Sequence, residues 1–336
     1  MSLLEIIKKT IQKKGPLNVA DYMALALSHP EHGYYMKKDP LGREGDFTTA
    51  PEVSQIFGEL IGLWLTEQWR IAGHPEMALV ELGPGRGTLM NDILRASKMV
   101  QGFHDAIKVH LVETSPTLKQ KQWKNLAGKH ACLEWHDSIA SLPAKPLLLV
   151  ANEFFDALPI RQFAGDSERM ITVSEQGTLE FSVPDEYITA ERCESATAIM
   201  ATIAQHIETH GGVALIIDYG YEHGSGDSLQ AIKQHSTHNP LETPGEADLT
   251  AHVDFGALRK AALAYQVDVH GPRAQGAFLG QLGAIERAMQ LCSHANETHQ
   301  SQIMSGLTRL VSPEAMGELF RVMTIVPRNY PVPEGF

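Results

Sequence analysis

Glycines, acids and aromatic rings follow short apolar runs in this 336-residue chain, and their spacing suggests chemistry. The first such group is Glu81-Leu82-Gly83-Pro84-Gly85-Arg86-Gly87-Thr88. Glycines after a strand let the backbone approach a ligand closely, and the helix that follows offers its N-terminus. A dinucleotide turn needs G-x-G-x-x-G, whereas the spacing here is G-x-G-x-G, which suits something less bulky than a pyrophosphate. Glu81 inside the run opposes an anion and favours a cation, such as a sulfonium or an ammonium. The pattern E-x-G-x-G-x-G therefore predicts a site for S-adenosyl-L-methionine, with Glu81, Gly83, Gly85 and Gly87 holding it. The competing reading is a glycine-rich turn and nothing more.

Further residues fall where such a ligand needs them. Glu113 ends the next apolar run, where a carboxylate can accept two hydrogen bonds from ribose hydroxyls. It could equally cap the helix that Ser115-Pro116 begins. Asp137 follows a third run and is expected beside the ligand's base, unless it only forms a turn. A fourth run leads into Asn152-Glu153-Phe154-Phe155-Asp156-Ala157-Leu158-Pro159. Asn152 is expected at the cofactor. Glu153 and Asp156 could hold a guanidinium in a bidentate fork, with Phe154 and Phe155 as rings against the substrate. The competing reading is a helix start that favours acids. Asp218-Tyr219 ends a fifth run on the same edge and could add another acid and ring to the substrate side. His252 could orient one of the acids.

The elements that must position these residues read as alternating strands and helices. Strands are expected at 78–82, 107–112, 132–135, 147–151, 212–217 and 322–326. Helices are expected from about 54 to 71, from 88, and around 196–208. Near-continuous apolar strands separated by helices predict a parallel sheet covered on both faces, a doubly wound α/β fold. Its ligand should sit outside the carboxyl ends of the strands. Residues 1–75 read as helices broken by loops, the first of them a short amphipathic helix over Leu3, Leu4, Ile7 and Ile11. Residues 76–336 read as the α/β domain, with insertions at about 160–183 (an antiparallel β-meander), 219–251 (a long loop) and 276–319 (a helical excursion).

Composition narrows the function. Lys and Arg total 28 against 40 Asp and Glu, giving a net charge of −12, with 43% hydrophobic and 20% charged residues. That is globular composition, and the acidic balance argues against a nucleic-acid or anionic-membrane partner. Three cysteines with no C-x-x-C pair predict neither a zinc ribbon nor a disulfide framework, which fits a reducing compartment. Glu5, Lys8 and Lys9 break any signal-peptide apolar region, and the run 147–151 is too short to span a bilayer. His206/His210 and His235/His238 lack the acid or cysteine spacing of a metal site, so no metal is expected.

Several segments also carry a family resemblance: GPLNVADYM (15–23), PEHGYY (30–35), GDFTTAPEVSQIFG (45–58), ELGPGRGTLMNDILR (81–95), LVETSP (111–116), ANEFFDALP (151–159), IIDYGY (216–221) and DLTAHVDF (248–255). The chain resembles bacterial members of the MidA-type family, which includes a mitochondrial complex I assembly factor described as a protein-arginine methyltransferase. The resemblance implies a class I (Rossmann-like) S-adenosyl-L-methionine-dependent methyltransferase fold with a helical N-terminal lid. It assigns Gly83, Gly85, Gly87 and Glu113 to the cofactor and puts Asp46, Phe47 and Thr48 in the lid over it. The expected function is methyl transfer to a protein nitrogen, an arginine guanidinium, on a respiratory-complex subunit or another basic partner. A homodimer follows by analogy, and a cytoplasmic location is expected. The alternatives are methylation of a nucleic-acid amino group and a cofactor-binding assembly chaperone without turnover.

Overall fold

The structure is a computed structural model that describes residues 1–37, 49–224 and 226–336. The N-terminal region is helical because its caps are written into the sequence. Helix α1 (Leu3–Lys14) starts with a capping box: Ser2 Oγ accepts from the Glu5 N–H, and Glu5 Oε2 accepts from the Ser2 N–H at 2.9 Å. Its Leu3, Ile7 and Ile11 recur at helical spacing and are buried. Helix α2 (Val19–Ser28) is capped by Asn18, whose side chain accepts from Asp21. Two short helices, α3 (Tyr34–Lys37) and α4 (Ala50–Val53), precede α5 (Gln55–Ile71), which is capped by Ser54 and spans the expected 54–71.

The core alternates strand and helix as expected: β1 (Met77–Leu82), α6 (Thr88–Ser97), β2 (Ile107–Val112), α7 (Pro116–Leu126), β3 (Leu133–His136), β4 (Leu147–Asn152), α8 (Glu194–His210) and β5 (Gly212–Tyr221). Then come α9 (Phe255–Ala262), β6 (Val267–Ala274) and, after the excursion α10 (Gln275–Gln281), α11 (Ala284–Cys292), α12 (Glu297–Val311) and α13 (Met316–Leu319), the last strand β7 (Phe320–Pro327). The sheet order is β6-β7-β5-β4-β1-β2-β3. The strands from β5 to β3 run parallel, β7 is antiparallel to β5, and β6 is antiparallel to β7. This is the doubly wound arrangement expected from the sequence.

Alternation along the central strands feeds two cores. Leu79, Leu148 and Leu215 pack with α5 and α6 on one face; Val80, Leu149 and Ile216 pack with α8 and α9 on the other. Each such side chain contributes roughly 1.5–3 kcal/mol by leaving water, so the register of β4 is held from both sides. No helix among the described residues is long and apolar enough to cross a membrane.

Two inserted segments differ from expectation. Residues 160–183 form not one meander but parts of two small sheets. Strand 161–164 pairs with 167–168 and 190–192, while 170–173 pairs with 179–181 and with Leu17–Asn18 of the N-terminal region. The break falls at Arg169, which is 1% exposed. Its guanidinium donates to Gln162 and Asp227 at 2.9 Å and to Asp185, and lies over the Phe181 ring. A buried cation needs such partners, and these satisfy it between the two small sheets. Residues 219–251 are not a plain loop. Within them 230–233 pairs with 236–238 and 248–250 as a three-stranded sheet, whose short apolar positions Ala231 and Leu249 are buried. Strand β6 was not expected either, because Gly271 and Pro272 interrupt its run.

Candidate functional site

The parallel strands end at one level, and their register sets the site. The Gly83 N–H donates to Val112 O at 3.0 Å, and the Glu153 N–H to Ile217 O at 2.9 Å, so the segments after β1, β2, β4 and β5 are tied together. Between them and the N-terminal helices lies a cleft of about 230 Å³. Glu81, Gly83, Gly85, Glu113, Asn152, Glu153 and Phe154 all line it.

The glycine turn must be glycine. Gly83, Gly85 and Gly87 have φ of 61°, 53° and 78°, in the left-handed region that side chains disfavour. A Cβ on Gly83 would stand 2.8 Å from the Phe154 ring. Gly87 lies just behind the lining as the N-cap of α6. Glu81 is 3% exposed, and burial pushes its carboxyl up to about 8. Its Oε2 has no hydrogen-bond partner, and neither has Asn152 Oδ1. Two orphaned buried acceptors in one cleft fit the donors of an ammonium group. Glu113 Oε1 accepts from the Ser115 N–H at 2.8 Å and Oε2 from Gln122 at 3.1 Å, so it lines the cleft while Ser115, not Glu113, caps the helix.

Glu153 lines the same cleft, next to Asn152. Its φ is 51°, a conformation a side chain adopts only when its surroundings impose it. Its Oε1 accepts from the Ala50 N–H at 2.8 Å and from the Asn152 amide at 3.0 Å. Burial, with Asp156 adding to it, pushes the carboxyl up to about 7. Asp156 is raised to about 6 by burial, while the Tyr219 hydroxyl donates to it and holds it down. The rings of Phe154 and Phe155 stand edge to face at 5.2 Å.

Several expected site residues lie elsewhere. Asp218 is fully buried and turned into the turn itself: Oδ2 accepts from the N–H groups of Phe154, Phe155 and Asp156, and Oδ1 from Tyr219. It folds the Glu153 turn and does not contact the cleft. Phe155, 3% exposed, points into the α8–α9 core, because neighbouring residues leave a strand end on opposite sides. Tyr219 packs on Phe320 and His252 and supports Asp156. His252 lines a separate cavity with Tyr221 and Cys193 and reaches the acids only through the Tyr219 ring, so it bonds neither Glu153 nor Asp156 directly. Asp137 is turned to solvent in an ion pair with Lys119 at 2.5 Å, which satisfies it without a ligand. Asp46, Phe47 and Thr48 lie outside the described residues.

Three residues were missed. Gln122, fully buried on α7, donates to Gly85 O at 2.9 Å and to Glu113, and accepts from Trp135. It couples the glycine turn to Glu113. Tyr35 lines the cleft while its hydroxyl donates to Asp248 at 2.8 Å, and Ser115 donates to its carbonyl at 2.9 Å. Glu52 accepts from the Thr88 hydroxyl at 2.6 Å. The segments PEHGYY and TTAPEV carried the signal for Tyr35 and Glu52. Nothing in the pattern marks Gln122.

Comparison with known proteins agrees with this geometry. A family model described as "Putative S-adenosyl-L-methionine-dependent methyltransferase" matches residues 60–273. Protein arginine methyltransferase NDUFAF7, mitochondrial, of Danio rerio is 38% identical over 97% of this chain and 87% of its own length. The Homo sapiens protein of that name is 34% identical over 97% and 84%. A solved structure from Burkholderia thailandensis, bound to S-adenosyl-homocysteine, superposes with a TM-score of 0.84 over 99% of this chain and 93% of that one. At 24% identity that likeness is one of fold. The expected cytoplasmic location is overturned: the relatives at this identity are named mitochondrial.

Proposed function

The chain belongs to the family of S-adenosyl-L-methionine-dependent methyltransferases, and from that premise we propose that its acceptor is a protein arginine guanidinium, held by Glu153. Two things support the acceptor. The relatives at 34–38% identity are named protein arginine methyltransferases. And the cleft ends on a carboxylate whose backbone is strained into position, with Asp156 and Asp218 close behind it. An acidic end of this sort suits a basic protein segment and repels a polyanion.

When bound, S-adenosyl-L-methionine supplies an electrophilic methyl group carried on a sulfonium. Glu81 and Asn152 would accept from its ammonium, Glu113 would accept from its ribose hydroxyls, and Gly83, Gly85 and Gly87 would let the backbone come close. The N-terminal region, about 1–75, acts as the lid, supported by Tyr35, Pro51 and Glu52 in the cleft wall. Glu153 uses Oε1 to tie itself to Ala50 and Asn152, and with its carboxylate it orients one guanidinium N–H. An acid near 7 can stay ionised while the guanidinium is bound and take up the proton lost once the nitrogen is methylated. Holding a nucleophile at ~3–3.5 Å from the methyl carbon can be worth roughly 7–11 kcal/mol.

The test is incubation with methyl-labelled cofactor and basic proteins or peptides, followed by hydrolysis and amino-acid analysis. Label on methylated arginine is expected. Label confined to lysine, or found on nucleic acid, overturns the acceptor. Glu153→Gln should keep cofactor affinity and lose turnover.

A further inference from the structure

Away from the cleft, strands β2 and β3 bring three metal-ligating side chains together. His110 and Glu134 are cross-strand partners, and His136 stands two residues further on the same face. Their ligand atoms lie within 4.8 Å of one another. His110 Nδ1 is 2.9 Å from His136 Nε2 and 3.6 Å from Glu134 Oε2. From these we infer that His110, Glu134 and His136 form a binding site for a divalent transition-metal ion of the Zn²⁺ type.

The tautomers support it. Ser141 Oγ gives its single proton to Ser138 O at 2.8 Å. It must therefore accept at its 3.0 Å contact with His136 Nδ1, which fixes the proton on that nitrogen. His136 Nε2 is left as a lone pair aimed at His110 Nδ1. That lone pair is met either by the N–H of a neutral His110 protonated on Nδ1, as an N–H···N hydrogen bond, or by a metal held between the rings. The hydroxyl also orients the ligand from behind, as outer partners of metal-bound imidazoles do. Two imidazoles and a carboxylate are a zinc-type donor set, with room for water in the fourth position. Ligand atoms around tetrahedral zinc stand about 3.3 Å apart, so the imidazole pair opens by a few tenths of an ångström and the exposed Glu134 swings in. A cavity of about 410 Å³ lined by His110 and Glu134 gives an entry path. Lys108 and Lys145 face His110 and oppose a dication, but Lys145 is engaged by Glu76 at 2.7 Å. The site would clamp the edge strand β3, whose His136 carbonyl accepts from the Glu113 N–H at 2.9 Å.

The experiment uses the full chain without a histidine tag, stripped with chelator, dialysed, and titrated with Zn²⁺ by calorimetry and metal analysis. One ion per chain is expected. Ser141→Ala should weaken binding by ~10–100-fold without touching a ligand. His136→Ala should abolish it. Glu134→Gln, at an exposed position that leaves the fold intact, should weaken it even if His136→Ala does not fold, and its cofactor affinity serves as the folding control. No zinc above the buffer, or equal binding in Glu134→Gln and Ser141→Ala, overturns the site. So does zinc retained in His136→Ala, since it would then reside elsewhere.

Discussion

Glu81→Gln should stabilise the ligand-free protein while weakening its hold on the methyl donor. Glu81 sits inside β1, 3% exposed, with Oε2 unpartnered. Burial raises its carboxyl from 4.5 to about 8, against a partial offset from the Met90 N–H. The sign follows from linkage. A pKa raised in the folded state means that the unfolded chain ionises first as pH rises. Stability is therefore intact below 4.5 and is lost as pH climbs towards 8. The loss comes to about 1 kcal/mol at pH 5 and about 3 kcal/mol at pH 7, and it levels off near 5 kcal/mol above pH 8. Glutamine has the same shape and no charge, so it should recover about 3 kcal/mol at pH 7 and little at pH 5. Urea unfolding of both proteins at the two pH values measures this. An ammonium ligand should ionise the acid, so calorimetry in buffers of different ionisation enthalpy should find about 0.9 proton released per cofactor at pH 7 in the natural protein and none from this position in the variant. A gain equal at pH 5 and pH 7, or none at all, would refute the reasoning that a desolvated carboxylate waits there for a cation.

Three further outcomes are expected. Since Glu153 must be ionised to hold a guanidinium and its carboxyl lies near 7, kcat/KM should rise about tenfold per pH unit below 7 and flatten above it. In Glu153→Gln the profile should be flat and the rate lower by roughly 10²–10⁴. Gly85→Val places a β-branched residue at φ 53° in the cofactor turn and should abolish cofactor binding with the fold retained; unchanged calorimetric affinity would count against the placement. Asp218→Asn turns an amide donor onto backbone N–H groups and should cost about 1.5–3 kcal/mol in denaturant unfolding, because one carboxylate currently serves four of them.

The core was legible because its signals are local. Apolar runs bounded by turns located β1, β2, β4 and β5, and the residues one step beyond them are the cleft lining: Gly83, Glu113 and Glu153. What the sequence concealed depends on direction and on long-range pairing. Phe154 and Phe155 are adjacent and alike, yet one ring faces the cleft and the other the core. Asp218 looks like another site acid until its oxygens are seen to be consumed by the backbone of residues 154–156, more than sixty positions away. The small sheets escaped for the same reason. Leu17–Asn18 pairs with 170–171, and 230–232 with 248–250, and neither pairing leaves a periodic trace in so few residues. The histidines of β2 and β3 carry no helical or C-x-x-C spacing, so only the strand register brings His110 beside Glu134 and His136.

The acids of the site are connected in a way that a list of strand ends would not reveal. Asp218 holds the N–H groups of the turn, the turn forces Glu153 into a left-handed backbone, and that backbone delivers its carboxylate to Ala50 and Asn152. Burial pushes all three acids upward, and repulsion from the neighbouring acids adds to it at Glu153 and Asp218. Such a cluster destabilises the empty protein when it is ionised, and is relieved by protonation or by positive charge. On the proposed reading the cleft offers two places for it, one at Glu81 for an ammonium and one at Glu153 for the acceptor. Ala50, at the start of α4, binds Glu153, and Glu52 of the same helix binds Thr88 at the start of α6. The N-terminal helices therefore touch both the acceptor end and the glycine turn, so a cation arriving at one end acts on a helix whose position the other end also needs. Binding of methyl donor and acceptor should accordingly be cooperative, with each raising the other's affinity. Donor affinity measured with and without a saturating arginine peptide tests the coupling, and Glu52→Gln, which leaves Glu81 and Glu153 in place, should reduce it. Equal donor affinities with and without peptide would show that the two ends act independently.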